Sequence, residues 1–380
     1  MTLLRRVSAA LGLLATVGCA GAAGRRGESL VGSEAANGSA AADAAESLFV
    51  YVGLAGGEIA TFHLDPATRT LGRRGTVSVG RAPSSLARSV ERASLIAVDG
   101  TTGQATSFSI DAKSGALRLV GRAGTGGPHP AGATLDDTGK YVLAAHPGAG
   151  RVSVLAITQV GGLNPIDTFA AGPGANAVAV HPAGVVFVPN FRASTVSQYG
   201  FNTGTGMLTP KSEARLELPV GAGPIRLVRH PSGRWVYLLC EGTDSVAVFG
   251  YDADLKALSP MSSQIVSTLP DGLAPGRSRP ADLAVTPNGR FLYATNRGPD
   301  DVVAFAIDAA GTLAVRGHEP SGGRAPGALA VDPSGRVLIV ANEGGKSLGV
   351  WSIDPATGAL GGRHVVALGA APLSVLAVKP

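Results

Sequence analysis

The segment Leu329–Leu360, LAVDPSGRVLIVANEGGKSLGVWSIDPATGAL, limits what this chain can fold into more than any other feature. One strand ends in Asp-Pro-Ser-Gly, a second runs VLIVAN, a third runs LGVWSID, and the turn Pro-Ala-Thr-Gly-Ala-Leu follows. The pattern occurs seven times. Its second strands start near Leu48, Leu95, Tyr141, Val185, Trp235, Phe291 and Val337, at spacings of 47, 46, 44, 50, 56 and 46 residues. Repeats of this length that contain only strands predict a β-propeller with four strands in each blade.

The two ends of the chain fit that reading. The last strand, Leu373–Val378, matches the strand that precedes each Pro-x-Gly turn, and it lacks the rest of a blade. The first blade opens at Leu48 without that strand. Pairing the C-terminal strand into the N-terminal blade closes the ring and removes an open edge. The expected fold is therefore all-β, a seven-bladed propeller over residues 47–380. The period has no break, so one domain is expected. The longest spacing, across Gln264–Arg279, reads as an inserted loop. Most units carry a Gly-x-Leu-like turn, as in Gly115-Ala116-Leu117 and Gly311-Thr312-Leu313. The first (Thr68–Leu71) and fifth (Asp254–Leu258) keep the Leu and lose the Gly.

Residues 1–19 read as a signal peptide of lipoprotein type. Arg5 and Arg6 precede an apolar stretch, Val7–Val17, too short to span a bilayer. Cys19 is the residue such processing would acylate, although Thr16 stands where that pattern usually has Leu. Cleavage after Ala20-Gly21-Ala22 is the alternative. Residues 20–46, rich in Ala, Gly and Ser, read as a flexible tether. The protein is thus expected at the cell envelope, touching membrane only through a lipid anchor.

The net charge of +5 comes from Lys and Arg scattered singly or in pairs, without aromatic interleaving. Nucleic acid is not an expected partner. A monomer is expected. No H-x-x-H, C-x-x-C, EF-hand loop, phosphate loop or G-x-S-x-G elbow occurs, so no metal or cofactor is expected. Cys240, the only cysteine beyond the leader, ends the strand VYLLC and reads as a small buried apolar residue.

Aligning the units puts equivalent residues at one level around the axis. The ends of the second strands hold Asp99, His146, Asn190, Cys240, Asn296 and Asn342. The next position holds Gly100, Pro147, Phe191, Glu241, Arg297 and Glu343. His146, Glu241, Arg297 and Glu343 are therefore expected at one funnel mouth. The loops leading into the blades supply a second ring with Asn176, Arg226 and Asp282. Asn and Asp commonly close turns, so Asn190, Asn296 and Asn342 read as structural. Charged residues are rarely buried unpaired. Glu241 and Arg297 are thus either site residues or an ion pair between adjacent blades. His63, His181, His230, His318 and His364 fall in outer strands, turns or loops and read as solvated or hydrogen-bonded.

The segments His230–Asp252, Val266–Gly272 (VSTLPDG), Thr286–Asp308 (with GRFLYATNRG) and Val331–Leu360 resemble the seven-bladed β-propeller lactonase family. That family includes bacterial-type 6-phosphogluconolactonases and fungal carboxy-muconate lactonizing enzymes. The resemblance covers about residues 48–380. It implies a lactone site made by a Glu after one strand, an Arg in Asn-Arg-Gly and a His in a Pro-His-like loop. Glu241 and Arg297 match the first two. Asn176 stands where the His is expected. Gly-Pro-Arg-His reads Gly223-Pro224-Ile225-Arg226, Pro-x-His reads Pro130-Ala131-Gly132, and a Glu after Pro-Ala reads Asp282.

Opening a lactone needs a base to activate water and a donor for the developing oxyanion. The resemblance implies Glu241 as base and Arg297 as oxyanion or carboxylate partner. Arg226 then binds a second anionic group, and Asn176 donates a hydrogen bond without moving a proton. His146 is the sequence candidate for the missing proton carrier. The expected ligand is a small lactone or anionic sugar acid. Two alternatives stay open: a non-catalytic exported propeller that binds a ligand, and a scaffold for protein partners.

Overall fold

The computed structural model describes residues 48–379, with the side chains of 212–214 and 260–263 excepted. The expected signal peptide and tether, with Cys19, lie outside the described residues. Seven four-stranded antiparallel sheets follow one another along the chain. The first is completed by the end of the chain: Pro372–Val378 pairs with Leu48–Leu54, followed by Glu58–Asp65 and Thr70–Ser78. The ring closes as its terminal half-blades require.

Burial within each blade explains its sequence. The second strands, such as Val337–Asn342 and Tyr141–His146, are buried along their whole length. Both faces of such a strand pack on neighbouring blades, so the run is continuously apolar rather than alternating. The outer strands, such as Thr70–Ser78 and Leu360–Ala367, are largely exposed and carry Arg, Gly and Thr. The apolar core is accordingly divided. Seven clusters form among the described residues, one in each interface between adjacent blades.

Two sets of contacts lock blade to blade. Tyr51, Tyr237 and Tyr293 donate their hydroxyls to Gly115 O, Gly311 O and Gly358 O of the next blade, at 2.8, 3.1 and 2.7 Å. Those glycines are the Gly of the Gly-x-Leu turns. A Cβ on Gly311 would lie 2.4 Å from the Trp235 ring, and its φ of 80° disfavours other residues. In the two units that lack this Gly, Arg69 (φ 60°) and Lys256 (φ 49°) adopt the left-handed conformation instead. The second set uses side chains at the turn before three of the second strands. Ser89 Oγ donates to Gly139 O at 2.7 Å, His181 Nε2 to Gly233 O at 2.8 Å, and His230 Nε2 to Gly289 O at 2.9 Å. His181 and His230 are thus interblade fasteners.

The long spacing before Phe291 is shared between two elements. The outer strand Ala257–Ser267 extends to 11 residues, and the loop proper spans 268–278. Gln264 belongs to the strand, because its neighbours Ile265–Ser267 pair with Ser245–Ala247. Cys240 is buried, and burial pushes its thiol up to about 12.

The innermost strands Pro83–Ser89, Pro224–Arg229, Arg279–Val285 and Pro326–Val331 shift register just after a proline. Proline contributes no N–H, and a bulge ends the ladder and redirects the residues that follow. This device sets the side chains at the channel mouth.

Candidate functional site

The mouth forms where second strands end and innermost strands begin. Glu241 follows Trp235–Cys240 in the fifth blade, and its backbone N–H donates to Gly223 O at 2.8 Å. Its Oε1 accepts from Arg279 Nε at 2.9 Å. Arg279 faces Arg297 across the ladder of the sixth blade. Arg297 turns to the seventh blade, where Nη2 donates to Glu343 Oε2 at 2.9 Å and Nε to Pro326 O at 3.4 Å. Glu241 and Arg297 therefore do not pair with each other. Each engages a residue of the blade that follows its own.

A second ion pair lies on the innermost strands. Arg226 Nε meets Asp282 Oδ1 at 2.9 Å. The Asp282 carboxylate also accepts from Leu329 N at 3.1 Å, and its backbone N–H donates to Thr295 Oγ1 at 3.2 Å. It ties the fifth, sixth and seventh blades together. Removing one member of such a pair strands a charge in poorly solvated surroundings. Its side chain is 13% exposed, so that cost applies here.

Two glycines give the guanidiniums their places. A Cβ on Gly132 would stand 3.1 Å from Arg226 Nη1, and one on Gly327 would stand 2.6 Å from Arg297 Nη2. Arg226 thus reaches from the fifth blade, past the fourth, to the bare backbone of the third. In the fourth blade Asn176 Nδ2 donates to Ile225 O at 3.1 Å, which fastens Asn176 to the strand that carries Arg226.

His146 is not at the mouth. It is 1% exposed, its Nε2 is hydrogen-bonded with Ser153 Oγ at 2.9 Å, and Nδ1 lies 3.4 Å from Pro128 O. Burial holds its pKa below the ordinary imidazole range. The second strand is covered on both faces, so its last side chain enters the interblade packing. Asn190, Asn296 and Asn342 are fully buried for the same reason: Asn190 Nδ2 donates to Thr195 Oγ1 and Ser197 Oγ of the adjoining strand, and Asn296 and Asn342 donate to Thr268 O and Ser321 O.

The imidazole the mouth does offer is His129, which the alignment of strand ends does not reach. It is exposed, has φ 49°, and its Nδ1 lies 3.3 Å from Gly100 O. It stands one residue before Pro130, as Arg279 stands one before Pro280. Counting backward from each inner-strand proline finds both. Among the described residues, no group of three or more His, Cys, Asp or Glu could hold a metal ion.

Three guanidiniums and three carboxylates therefore ring the mouth in matched pairs. Fold and mouth define a seven-bladed propeller with a charge-balanced polar site at one end of its channel. The sequence model of the family described as "Lactonase, 7-bladed beta-propeller" matches residues 49–376, and the chain belongs to that family. It is similar to the 6-phosphogluconolactonase of Formosa agariphila, 29% identical over 242 residues, 59% of this chain and 66% of that protein. The 6-phosphogluconolactonase of Bacillus subtilis is 27% identical over 269 residues, 67% of this chain and 76% of that protein. Among solved structures, the periplasmic gluconolactonase of Pseudomonas aeruginosa superposes with a TM-score of 0.80 at 26% identity. That match covers 88% of this chain and all of the other.

Proposed function

We propose that this protein is an exported hydrolase that opens an uncharged sugar lactone at the channel mouth. The observation that carries the substrate class is the charge balance of the ring. Arg226, Arg279 and Arg297 are each matched to a carboxylate at 2.9 Å. Each carboxylate offsets the charge of the guanidinium it meets, which lessens the pull on a dianionic phosphate ester, whereas the hydroxyls of a neutral lactone bond to the N–H groups and carboxylate oxygens the pairs leave open. Similarity to a periplasmic gluconolactonase supports both the substrate class and export.

In this reading Glu241 is the general base. Arg279 engages its Oε1, and Oε2 takes a proton from water. The water oxygen adds to the lactone carbonyl carbon, and the Arg297 guanidinium receives the oxyanion. The ring C–O bond then breaks, and the leaving alkoxide takes a proton from water or from His129. Arg226 and Asn176 orient the sugar hydroxyls, and Asp282 holds Arg226 in place.

The test compares D-gluconolactone with its 6-phosphate ester as substrates for the full chain and for Glu241→Gln. Turnover of the neutral lactone should dominate and fall about 10²–10⁴-fold in the variant, the usual range for a lost acid-base group. Faster turnover of the phosphate ester would sink the substrate class. No turnover of either lactone would favour the non-catalytic binding reading, for which Asn176 in place of a histidine is the supporting observation.

A further inference from the structure

A cavity of about 490 Å³ lies away from the mouth, between the first and second blades. The outer strands of the first blade form one wall, and the turn Asp111–Leu117 of the second forms the other. Val77 and Leu117 line it with apolar surface over the buried Phe49, and Arg74, Lys113 and His63 line it as well. The size suits a small molecule.

No carboxylate lines this cavity. Among the described residues none comes within ion-pair distance of Arg74, Lys113 or His63. The nearby acids, Asp111 close to Lys113 and Asp65 close to His63, spend their hydrogen bonds on their own turns. Asp65 Oδ1 accepts from Ala67 N and Thr68 N, and Asp111 Oδ1 accepts from Lys113 N, Ser114 N and Ser114 Oγ. The surrounding sequence is cationic as well: residues 48–127 hold nine Lys and Arg against five Asp and Glu.

The propeller supplies its own comparison. The corresponding cleft between the sixth and seventh blades measures about 290 Å³. In the outer strands Gly75 opposite Thr61 corresponds to Gly317 opposite Ala304, so Arg74 matches Arg316. There Glu319 joins Arg316 in the lining, and Ala356 rather than a lysine comes from the turn. The repeat explains the cleft and its arginine. It does not explain why one copy lacks the carboxylate and gains Lys113 and His63.

We infer that the cleft between the first and second blades binds a sugar-sized molecule carrying a tetrahedral oxyanion, a phosphate or a sulfate ester. Arg74 and Lys113 hold the oxyanion through charge-assisted hydrogen bonds, and the half-buried Val77 and Leu117 meet the carbon skeleton of the sugar. This site is separate from the mouth and does not depend on the lactonase reading.

Calorimetric titration of the full chain with glucose 6-phosphate, glucose 6-sulfate, inorganic phosphate and glucose tests it. One of the esters should bind saturably and more tightly than either glucose or inorganic phosphate. The Arg74→Ala, Lys113→Ala double variant should weaken that binding at least about tenfold, the scale of a lost hydrogen bond to charge. Both side chains are exposed, so the variant should melt with the parent and keep its lactonase rate. Arg226→Ala should leave ester binding unchanged. Absence of saturable binding by either ester, inorganic phosphate binding as tightly as an ester, or loss of binding in Arg226→Ala instead would each overturn the assignment.

Discussion

At the scale of single residues, two glycines matter because of what they leave empty. A new Cβ at 327 would meet only side-chain ends, Arg297 Nη2 at 2.6 Å and Glu343 Oε2 at 3.4 Å, whereas one at 132 would meet the backbone at Asn176 O, 3.2 Å away, as well as Arg226 Nη1. Gly327→Ala is therefore expected to shift melting little while displacing Arg297, and Gly132→Ala to displace Arg226 with some loss of melting temperature. In steady-state kinetics with a lactone, Gly327→Ala should lower kcat/KM by about tenfold or more, since a displacement of about 1 Å can cost a hundredfold. Gly132→Ala should act mainly through KM. His146 carries a different prediction. Burial depresses its pKa, and that of His181, below the ordinary value of 6.5. The unfolded chain then takes up protons that the folded one refuses. Stability is whole above that ordinary value and falls as pH drops below it. Melting temperature followed from about pH 7.5 to pH 5 should decline, and His146→Gln should flatten the decline.

The element that decides the packing is the turn each blade presents to the blade before it. Gly311 abuts Trp235 with φ 80°, so Gly311→Ala combines a ring clash with a strained backbone. Overpacking and the left-handed penalty together predict a loss of about 2–4 kcal/mol in denaturant unfolding. Lys256 occupies the equivalent conformation without a glycine, at φ 49°. Lys256→Gly should leave stability unchanged or raise it by up to about 1 kcal/mol, relief of strain offsetting the greater freedom of the unfolded chain. Such a sign difference at equivalent sites could not come from composition alone. It depends on whether the preceding blade puts a ring against the turn.

For the molecule as a whole, stability is distributed around a closed circle of interfaces. The cluster across the closure joins Leu48, Val50 and Val52 to Val337, Ile339 and Val375, so the seam is packed like the other interfaces. Ser374 Oγ also donates to Pro83 O at 2.6 Å, linking the closing strand to the second blade. Deleting Pro372–Val378 would bare the edge of Leu48–Leu54, a strand of seven buried residues. Unpaired apolar edges aggregate. Size-exclusion chromatography of the truncated chain should show aggregate in place of the parent peak. A parent-like peak with cooperative melting would show that the ring holds without its closing strand.

The number of blades, the closing strand and the roles of Asn190, Asn296 and Asn342 were legible in the sequence. A strand covered on both faces must be apolar throughout, and its recurrence can be counted. The level of Glu241, Arg297, Arg226 and Asp282 was legible too, because repetition places equivalent residues at equal heights. Their partners were not. Arg279 takes Glu241, Glu343 takes Arg297, and Asp282 takes Arg226, because bulges after the inner-strand prolines set where each side chain points. His146 and His129 show the same limit from opposite sides. Height along the axis places His146 beside the mouth, yet the neighbouring blade buries it, while His129 is brought to the mouth by a loop outside the strand register. Periodicity specifies a residue's level; only the packed neighbours decide which way its side chain turns and what charge it meets.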